Sequence, residues 1–238
     1  MPGDKVEYGV GEGSCPLCGF LYSKHQIKGI AITNASVEGV KAILAATLAM
    51  RQPGRQRTKR PGRQGDEESF GERMLGALVA ETSGGHTLKI VASSGYEMNP
   101  HVHGWTTADV DVPAHANGAW VNIYGDSITL KGVDRDMARK GCAAVKLLLK
   151  LGAMFAENPS KYKGYLSIAM YESPATVLEM VKDRKGRIKK KKKPRPTGKS
   201  AGMLEAFCGI DPEYLDAAKS CDACEARIPM MLCSRLNG

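Results

Sequence analysis

Cysteines are the residues of this chain whose type and spacing most clearly allow chemistry. The chain has seven of them, and four form two C-x-x-C pairs, Cys15 with Cys18 and Cys221 with Cys224. Two thiolates with this spacing can share one metal ion, although each pair alone is also compatible with a redox dithiol. An odd number of cysteines excludes complete internal disulfide pairing. The spacing therefore favours metal binding.

A fifth cysteine, Cys142, opens or lies early in a long predicted helix. Apolar residues at helical spacing predict this helix over 136–155, and a second helical stretch covers 220–232. A thiolate near a helix N-terminus is favoured by the helix dipole and by exposed backbone donors. If the two helix ends lie side by side, Cys142, Cys221 and Cys224 face one Zn²⁺. Three protein ligands and an open fourth position are typical of catalytic zinc sites.

The rest of the sequence predicts the elements that must position these cysteines. A helix is predicted over 36–50 with Ser36 as its N-cap, and a hairpin over 74–80 and 87–92. Further predictions are an apolar strand at 164–171, short helices at 174–182 and 211–218, and short strands or an extended insertion at 119–124 and 127–131. Helices and strands in this order predict an α/β (α+β) three-layer sandwich around one mixed sheet.

Basic residues outnumber acidic ones by 34 to 25, and the formal net charge is +9. Much of the excess lies in 51–63 and in 182–199, which contains Lys189 to Lys193. Both stretches carry Pro and Gly without an apolar period, so they are predicted to be exposed, mobile loops. Their charge favours binding to phosphates, although it is also typical of soluble linkers. Binding to a membrane surface is disfavoured because neither stretch forms an amphipathic helix, and no apolar run is long enough to cross a bilayer.

The order of these motifs resembles the zinc-dependent cytidine deaminase superfamily, especially its bacterial toxin-type members that act on nucleic acids. That family has His or Cys, one residue, then Glu at the start of a helix, and Pro-Cys-x-x-Cys at the start of a later helix. Gly141-Cys-Ala-Ala-Val-Lys146 is similar to the first motif, and Ser220-Cys-Asp-Ala-Cys224 to the second. The resemblance covers roughly residues 72–233, including the ending Cys-Glu-Ala-Arg-Ile-Pro-Met-Met-Leu-Cys at 224–233.

The resemblance implies a cytidine-deaminase-like mixed sheet flanked by helices and a zinc ion held by Cys142, Cys221 and Cys224. It also implies hydrolytic deamination of cytosine to uracil in DNA. Residues 66–238 would form this domain, with a basic insertion near 182–200. Residues 1–65 would contribute the first cysteine pair, a helix and the basic linker.

Two residues depart from the family pattern. Ser220 replaces the usual Pro, which is a mild variation, and Ala144 occupies the position of the catalytic Glu. In the family this Glu carries the protons of the reaction, and a positioned acid–base group contributes about 10²–10⁴-fold to the rate. The chain is therefore expected to be inactive. Our hypothesis is that the natural sequence has Glu at this position and that the alanine is an inactivating substitution; a naturally inactive relative is the alternative.

The polar stretch between the hairpin and the first metal-bearing helix is, in the family, part of the mouth of the substrate pocket. Aromatic rings there can stack on a base, and histidines or amides can contact phosphate or base edges. The candidate substrate contacts are His101, His103, Trp105, Asn117 and Tyr171. Tyr171 ends the predicted central strand with Glu172, and strand ends commonly point at a site. The structural alternatives are that Trp105 packs on the sheet, that the histidines are merely exposed and that Glu172 is a surface charge.

Several hypotheses stay open for the first cysteine pair and the residues that could join it. Cys15 and Cys18 are candidates for a second, structural zinc site, or for buried or redox thiols. Candidate partners in that second site are His25, Cys208 and Cys233. The other arrangement is one closed site formed by Cys15, Cys18, Cys221 and Cys224.

DNA, single- or double-stranded, is the partner that the resemblance implies. An immunity protein is a further partner if the chain is a toxin domain that acts in the cytoplasm of a recipient cell. Adenine, RNA and free nucleosides stay open as substrates. Two other function classes are a non-catalytic, zinc-stabilised nucleic-acid-binding module and a thiol oxidoreductase that uses Cys221 and Cys224. The first class also explains Ala144, whereas the second lacks a thioredoxin-like context for its cysteines.

Overall fold

A computed structural model describes residues 13–25, 27, 29–49, 74–95, 99–162, 165–174, 176–182, 188–194 and 221–234. The domain boundary predicted at residue 65, the basic stretch 51–63, Cys208 and the helix predicted at 211–218 lie outside these residues. The described residues form helices, a four-stranded mixed sheet and two small two-stranded sheets, which confirms a mixed α/β class. None of the helices in the described part of the chain has the length and apolar character needed to span a membrane.

The elements place one long hairpin at the centre of the fold. In chain order they are a 3₁₀-helix (Tyr22–Lys24), α1 (Asn34–Ala49), β1 (Met74–Thr82), β2 (Thr87–Ser93), β3 (Thr106–Thr107), β4 (Trp120–Val121), β5 (Ser127–Ile128), α2 (Arg135–Ala138), α3 (Ala143–Glu157), β6 (Tyr165–Pro174), β7 (Thr176–Lys182), β8 (Ile188–Pro194) and α4 (Asp222–Met231). The main sheet has the order β3-β2-β1-β6, in which β1 is antiparallel to both neighbours and β3 is parallel to β2. The predicted hairpin, the strand near 164–171 and the short strands near 120 and 128 are confirmed.

The main sheet buries apolar side chains on both faces. Successive side chains of a strand point to opposite faces, so Ala77 and Leu78 of β1 belong to two different clusters. Ala77 belongs to the cluster that includes residues of α1, and Leu78 to the cluster that includes residues of α3 and α4. Because β1 is covered on both sides, its apolar residues form a nearly continuous run instead of alternating with polar ones.

Helix α1 begins two residues earlier than the pattern predicts. Thr33, not Ser36, precedes its first residue, and the two side chains cap each other's backbone. The Ser36 amide donates to Thr33 Oγ1 at 3.3 Å, and the Thr33 amide donates to Ser36 Oγ at 3.1 Å. This reciprocal pair is a capping box, in which Ser36 occupies the third helical position.

The single helix predicted over 136–155 is two helices separated by a turn. Asp134 caps α2 by accepting a hydrogen bond of 2.7 Å from the Met137 amide. Gly141 lies in the turn, where an added Cβ would be 3.1 Å from the Gly95 carbonyl oxygen, so this close approach of two backbones favours glycine. The turn places Cys142 at the N-cap of α3 instead of inside a helix.

The segment that contains the lysine run is a β-hairpin. Strand β7 pairs antiparallel with β8, whose residues include Lys189 to Lys193, and Glu179 lies opposite Lys191. The helix predicted at 174–182 and the loop predicted for this part of 182–199 are therefore wrong. The β-branched residues of Thr176-Val-Leu-Glu-Met-Val favour a strand, and the ladder with β7 gives the lysine run a regular structure that its own composition does not predict.

Candidate metal centre

Cys142, Cys221 and Cys224 meet where α3 and α4 begin. Cys142 is the N-cap of α3, Cys221 is the N-cap of α4, and Cys224 lies in the first turn of α4. Their Sγ atoms all lie within 4.8 Å of one another, and the Sγ atoms of Cys142 and Cys221 are 3.8 Å apart. A tetrahedral zinc ion with Zn–S bonds of about 2.3 Å separates its sulfur ligands by about 3.8 Å. The three residues can therefore hold a metal ion together. We call Cys142, Cys221 and Cys224 the thiol group.

The thiol group is closed on one side and open on the other. Cys224 is buried, Cys142 is half-buried and Cys221 is exposed. A cleft of about 530 Å³ opens beside Cys142, and its lining residues are Ser94, Asp136, Arg139, Lys140, Gly141 and Cys142. This volume lies in the range of about 300–1,000 Å³ that is typical of small-molecule sites. A metal ion on the three sulfurs would thus have a side that a ligand can reach.

The pKa values of the three thiols are shifted in different directions. A hydrogen bond from the Cys224 thiol is the main cause that lowers the pKa of Cys221 to about 5, and the backbone N–H groups of Cys224 and Ala223 add to it. The same thiol, followed by the charge of Arg227, lowers the pKa of Cys142. The hydrogen bonds with Cys142 and Cys221 correspondingly raise the pKa of Cys224. These directions favour a proton on Cys224 over one on Cys142 or Cys221, and a cation between the three sulfurs would take the place of such a proton.

Arg227 connects the two helices that carry the thiol group. Its side chain is fully buried in α4, three residues after Cys224, and its Nη2 donates to Cys142 Sγ at 3.1 Å. Nη1 donates to the carbonyl oxygens of Ala138 and Lys140 at 2.8 and 3.0 Å, and Nε donates to the Ala223 oxygen at 2.7 Å. The planar guanidinium therefore fixes the α2–α3 turn against α4. Sequence reasoning missed this residue, because its partners Ala138, Lys140 and Cys142 lie 85–89 residues away in the chain.

Ala144 and Glu172 are two buried residues beside the start of α3. Ala144 lies in the first turn of α3 and is fully buried. Glu172 is also buried and follows Tyr171 in β6, so the two side chains point to opposite faces of the sheet. A Cβ added at Gly76 would lie 3.2 Å from Glu172 Cγ and 3.4 Å from Ala143 Cβ, so Glu172 lies on the α3 side, beside the start of that helix. Its negative charge adds to the hydrogen bonds that raise the pKa of Cys224.

The predicted substrate contacts are not gathered around the thiol group. Trp105 packs over α1, where an added Cβ at Gly39 would be 2.3 Å from its Cη2 atom. Tyr171 is buried in the cluster on the same face, whereas Cys142 and Cys224 belong to the cluster on the opposite face. His101, His103 and Asn117 are exposed. Trp105 packs against the apolar cluster between the sheet and α1, as the structural alternative predicted. Contacts of these five residues with a substrate stay predictions.

Two buried polar residues hold the end of β2 beside the cleft. Lys146 of α3 donates from Nζ to the Ser93 oxygen at 3.1 Å and also to the Gly95 oxygen. The Asn99 amide oxygen accepts hydrogen bonds from the Ser93 N–H and hydroxyl at 2.6 and 2.7 Å. Asn99 Nδ2 in turn donates to Asp109 Oδ1 at 2.9 Å. Sequence reasoning gave Lys146 no role, and these contacts make it a positioning residue for the α3 N-terminus.

Cys15 and Cys18 lie in a second group, together with His25 and Cys233. The ligand atoms of these four residues are all within 4.8 Å of one another. The two C-x-x-C pairs therefore belong to different groups, and the alternative of one closed four-cysteine site is wrong. Of the partners that the sequence offered for a second site, the structure brings His25 and Cys233 to it.

Comparison of the chain with protein-family models, curated proteins and solved structures gives no match. Both groups can bind a metal ion. Sulfur-rich donor sets of this kind favour zinc or other soft metals over magnesium and calcium.

Proposed function

We propose that this chain is a zinc-dependent nucleic-acid deaminase domain, disabled at position 144, whose reaction is the hydrolysis of cytosine to uracil in DNA. The observation that carries the proposal is the open thiol group at the N-termini of α3 and α4, beside a cleft. Catalytic zinc sites have three protein ligands and one open position, whereas structural sites are closed by four. The packing of α1 on one face of the sheet and of α3, with α4 against it, on the other supports the three-layer, cytidine-deaminase-like arrangement that belongs to this proposal.

Cys142, Cys221 and Cys224 would hold the zinc ion. Bound zinc supplies a Lewis acid that makes water a nucleophile near neutral pH. Deamination adds water to C4 of cytosine and breaks the bond from C4 to the exocyclic nitrogen, which leaves as ammonia. Arg227 keeps Cys142 in place for the ion, because its Nη2 donates to the sulfur and Nη1 fixes the preceding turn.

Protons must move from water to the ring nitrogen and to the departing amine. A carboxylate does this work in the family that the chain resembles, and alanine at position 144 has no group that can carry a proton. We therefore infer that the unchanged chain binds metal and nucleic acid but does not turn over.

The cleft carries positive charge where a polymer would enter. Arg139 and Lys140 line it and are exposed, and the whole chain has a net charge of +9. Arg139 also pairs with Asp136 at 2.9 Å, but both side chains are largely exposed, so this pair competes weakly with a phosphate. These charges favour a nucleic-acid substrate over a free, uncharged nucleoside.

Charge removal at the cleft gives a direct test of polymer binding. In the double variant Arg139→Gln/Lys140→Gln, we expect weaker binding to a cytosine-containing oligonucleotide. We also expect the slope of log K against log salt to fall by about 1.5, because each lost phosphate contact removes about 0.7–0.9. Fluorescence anisotropy of a labelled oligonucleotide at several salt concentrations measures both quantities.

The matched control is Lys131→Gln/Lys161→Gln, which removes the same charge at two other exposed positions. We expect a clearly smaller change in the salt slope. Equal slopes for the two double variants would show that the cleft has no special role in binding and that only net charge matters.

A non-catalytic, zinc-stabilised nucleic-acid-binding module is the second candidate function. The observation that favours it is Ala144, because such a module needs no proton carrier. It would bind DNA and zinc as the deaminase does, but it would stay inactive with Glu at position 144.

A further inference from the structure

We infer that Cys15, Cys18, His25 and Cys233 form a second, closed zinc site that joins the N-terminal segment to the end of α4. All four ligand atoms lie within 4.8 Å of one another. Three sulfurs and one imidazole nitrogen are a common ligand set of structural zinc, and four protein ligands leave no position for a substrate. This inference does not depend on the proposed deaminase activity.

Burial distinguishes the second site from the thiol group. Cys15, His25 and Cys233 are 1%, 2% and 0% exposed, and Cys18 is half-buried. The thiol group, by contrast, contains the exposed Cys221 and opens to the cleft. A site that is closed by protein on nearly every side stabilises structure and does not admit a substrate.

The local backbone holds the first two ligands in a metal-binding turn. The Cys15 amide donates to the Phe20 oxygen, and the Gly19 amide donates to the Cys15 oxygen, both at 2.8 Å. Gly19 has φ +73°, a left-handed conformation that glycine adopts without a steric penalty. The Leu17 amide points at Cys15 Sγ at 3.4 Å, and N–H donors of this kind stabilise a thiolate.

The other two ligands come from elements that are fixed independently. His25 follows the 3₁₀-helix, and its Nε2 is 3.3 Å from Cys18 Sγ. Cys233 follows α4, and its carbonyl oxygen accepts a hydrogen bond of 2.8 Å from Asn122 Nδ2. The site therefore links the two ends of the described chain, and a crosslink between such distant positions restricts the unfolded chain strongly.

The second site also fixes the helix that carries the thiol group. Cys221 and Cys224 lie at the start of α4, and Cys233 lies just beyond its end at Met231. A metal ion at the second site would hold the C-terminal end of this helix, while Arg227 holds its middle. We therefore expect metal binding at the two sites to be coupled, so that an ion at either site strengthens binding at the other by the same factor.

Native mass spectrometry of the full chain after reconstitution with Zn²⁺ tests the inference. We expect two zinc ions in the unchanged chain and at most one in Cys18→Ser, together with a melting temperature lower by about 10 °C or more. The matched control is Cys208→Ser, which removes the cysteine outside the described residues and should leave two zinc ions bound. Equal zinc content of Cys18→Ser and the unchanged chain would overturn the inference.

A second measurement protects the test against variants that fail to fold. The triple variant Cys142→Ser/Cys221→Ser/Cys224→Ser keeps only the proposed second site. Loaded with Co²⁺, it should bind one ion and show the absorption of a tetrahedral site with three thiolates. No Co²⁺ binding, or a Cys15–Cys18 disulfide under reducing conditions, would overturn the second site. A different result would overturn the proposed deaminase function while leaving the second site intact. In that case the unchanged chain would bind one ion at the second site and none at the thiol group.

Discussion

We expect Ala144→Glu to convert cytosine to uracil in DNA when the protein is loaded with zinc, whereas the unchanged chain does not. The substitution places a carboxylate in the first turn of α3, two residues after Cys142. A positioned acid–base group is worth about 10²–10⁴-fold, and one group that serves several proton transfers can be worth more. The helix N-terminus also favours a negative charge at this position. Uracil formation is measured in single-stranded and in duplex oligonucleotides.

Ala144→Gln is the matched control, because glutamine has nearly the same size as glutamate but cannot carry a proton. We expect it to fold and bind zinc like the glutamate variant and to remain inactive. A folded, zinc-loaded Ala144→Glu protein without activity on either substrate would refute a DNA cytosine deaminase and favour the binding module.

Glu172 provides a further outcome of the same assay. It is buried on the α3 side of the sheet, and its charge acts on Cys224. If the unchanged chain deaminated cytosine and Glu172→Gln abolished that activity, the proton carrier would be Glu172 and position 144 would not need a carboxylate. We expect instead that Glu172→Gln in the Ala144→Glu protein leaves most of the activity.

Replacement of Arg227 should have the largest effect on stability of any single change at the thiol group. Arg227→Met keeps the apolar part of the side chain but leaves the carbonyl oxygens of Ala138, Lys140 and Ala223 without their guanidinium donor. A hydrogen bond of a charged donor contributes about 1.5–3 kcal/mol. Because the Lys140 oxygen keeps its hydrogen bond from the Cys142 amide, we expect a loss of about 3–5 kcal/mol of unfolding free energy. Zinc affinity at the thiol group should fall about 10–100-fold, because Cys142 loses the donor that orients it.

Urea denaturation at fixed zinc concentration and competition with a chelator measure the two effects. Arg135→Met is the control, since Arg135 is exposed on α2 and its loss should change stability by less than about 0.5 kcal/mol. Arg227→Lys should be intermediate, because lysine keeps the charge but not the planar fork that reaches both helices. If Arg227→Met matched the control in stability and in zinc affinity, Arg227 would not organise the site.

The local patterns predicted the main elements because they depend on nearby residues. The apolar periods gave α1, the β1–β2 hairpin and β6, and the cysteine spacing gave the three residues of the thiol group. The predictions that failed concern structure that depends on contacts between distant segments. The lysine run forms a strand because β7 pairs with it, and the helix predicted over 136–155 is interrupted where Gly141 approaches Gly95.

In the candidate site, too, residues of a local motif were predicted, whereas a residue with distant partners was not. Cys142, Cys221 and Cys224 were predicted from spacing, but Arg227 was not, because its partners are backbone oxygens far away in sequence. Trp105 was proposed as a base-stacking residue from its place in a polar stretch. Its ring packs over Gly39, where α1 has no side chain and the surrounding surface is apolar. Packing on the sheet was the structural alternative, but this place over Gly39 was not predicted, and a contact of Trp105 with a base stays a prediction.

Anomalous diffraction at the zinc edge tests the central claim most directly. Crystals of the unchanged, zinc-loaded chain with a short cytosine-containing oligonucleotide would be used, since we expect this chain to bind its substrate without turnover. We expect an anomalous peak about 2.3 Å from the Sγ atoms of Cys142, Cys221 and Cys224, with a cytosine in the adjacent cleft and no fourth protein ligand. No peak on these sulfurs, or a peak closed by a fourth protein ligand, would contradict a catalytic zinc centre.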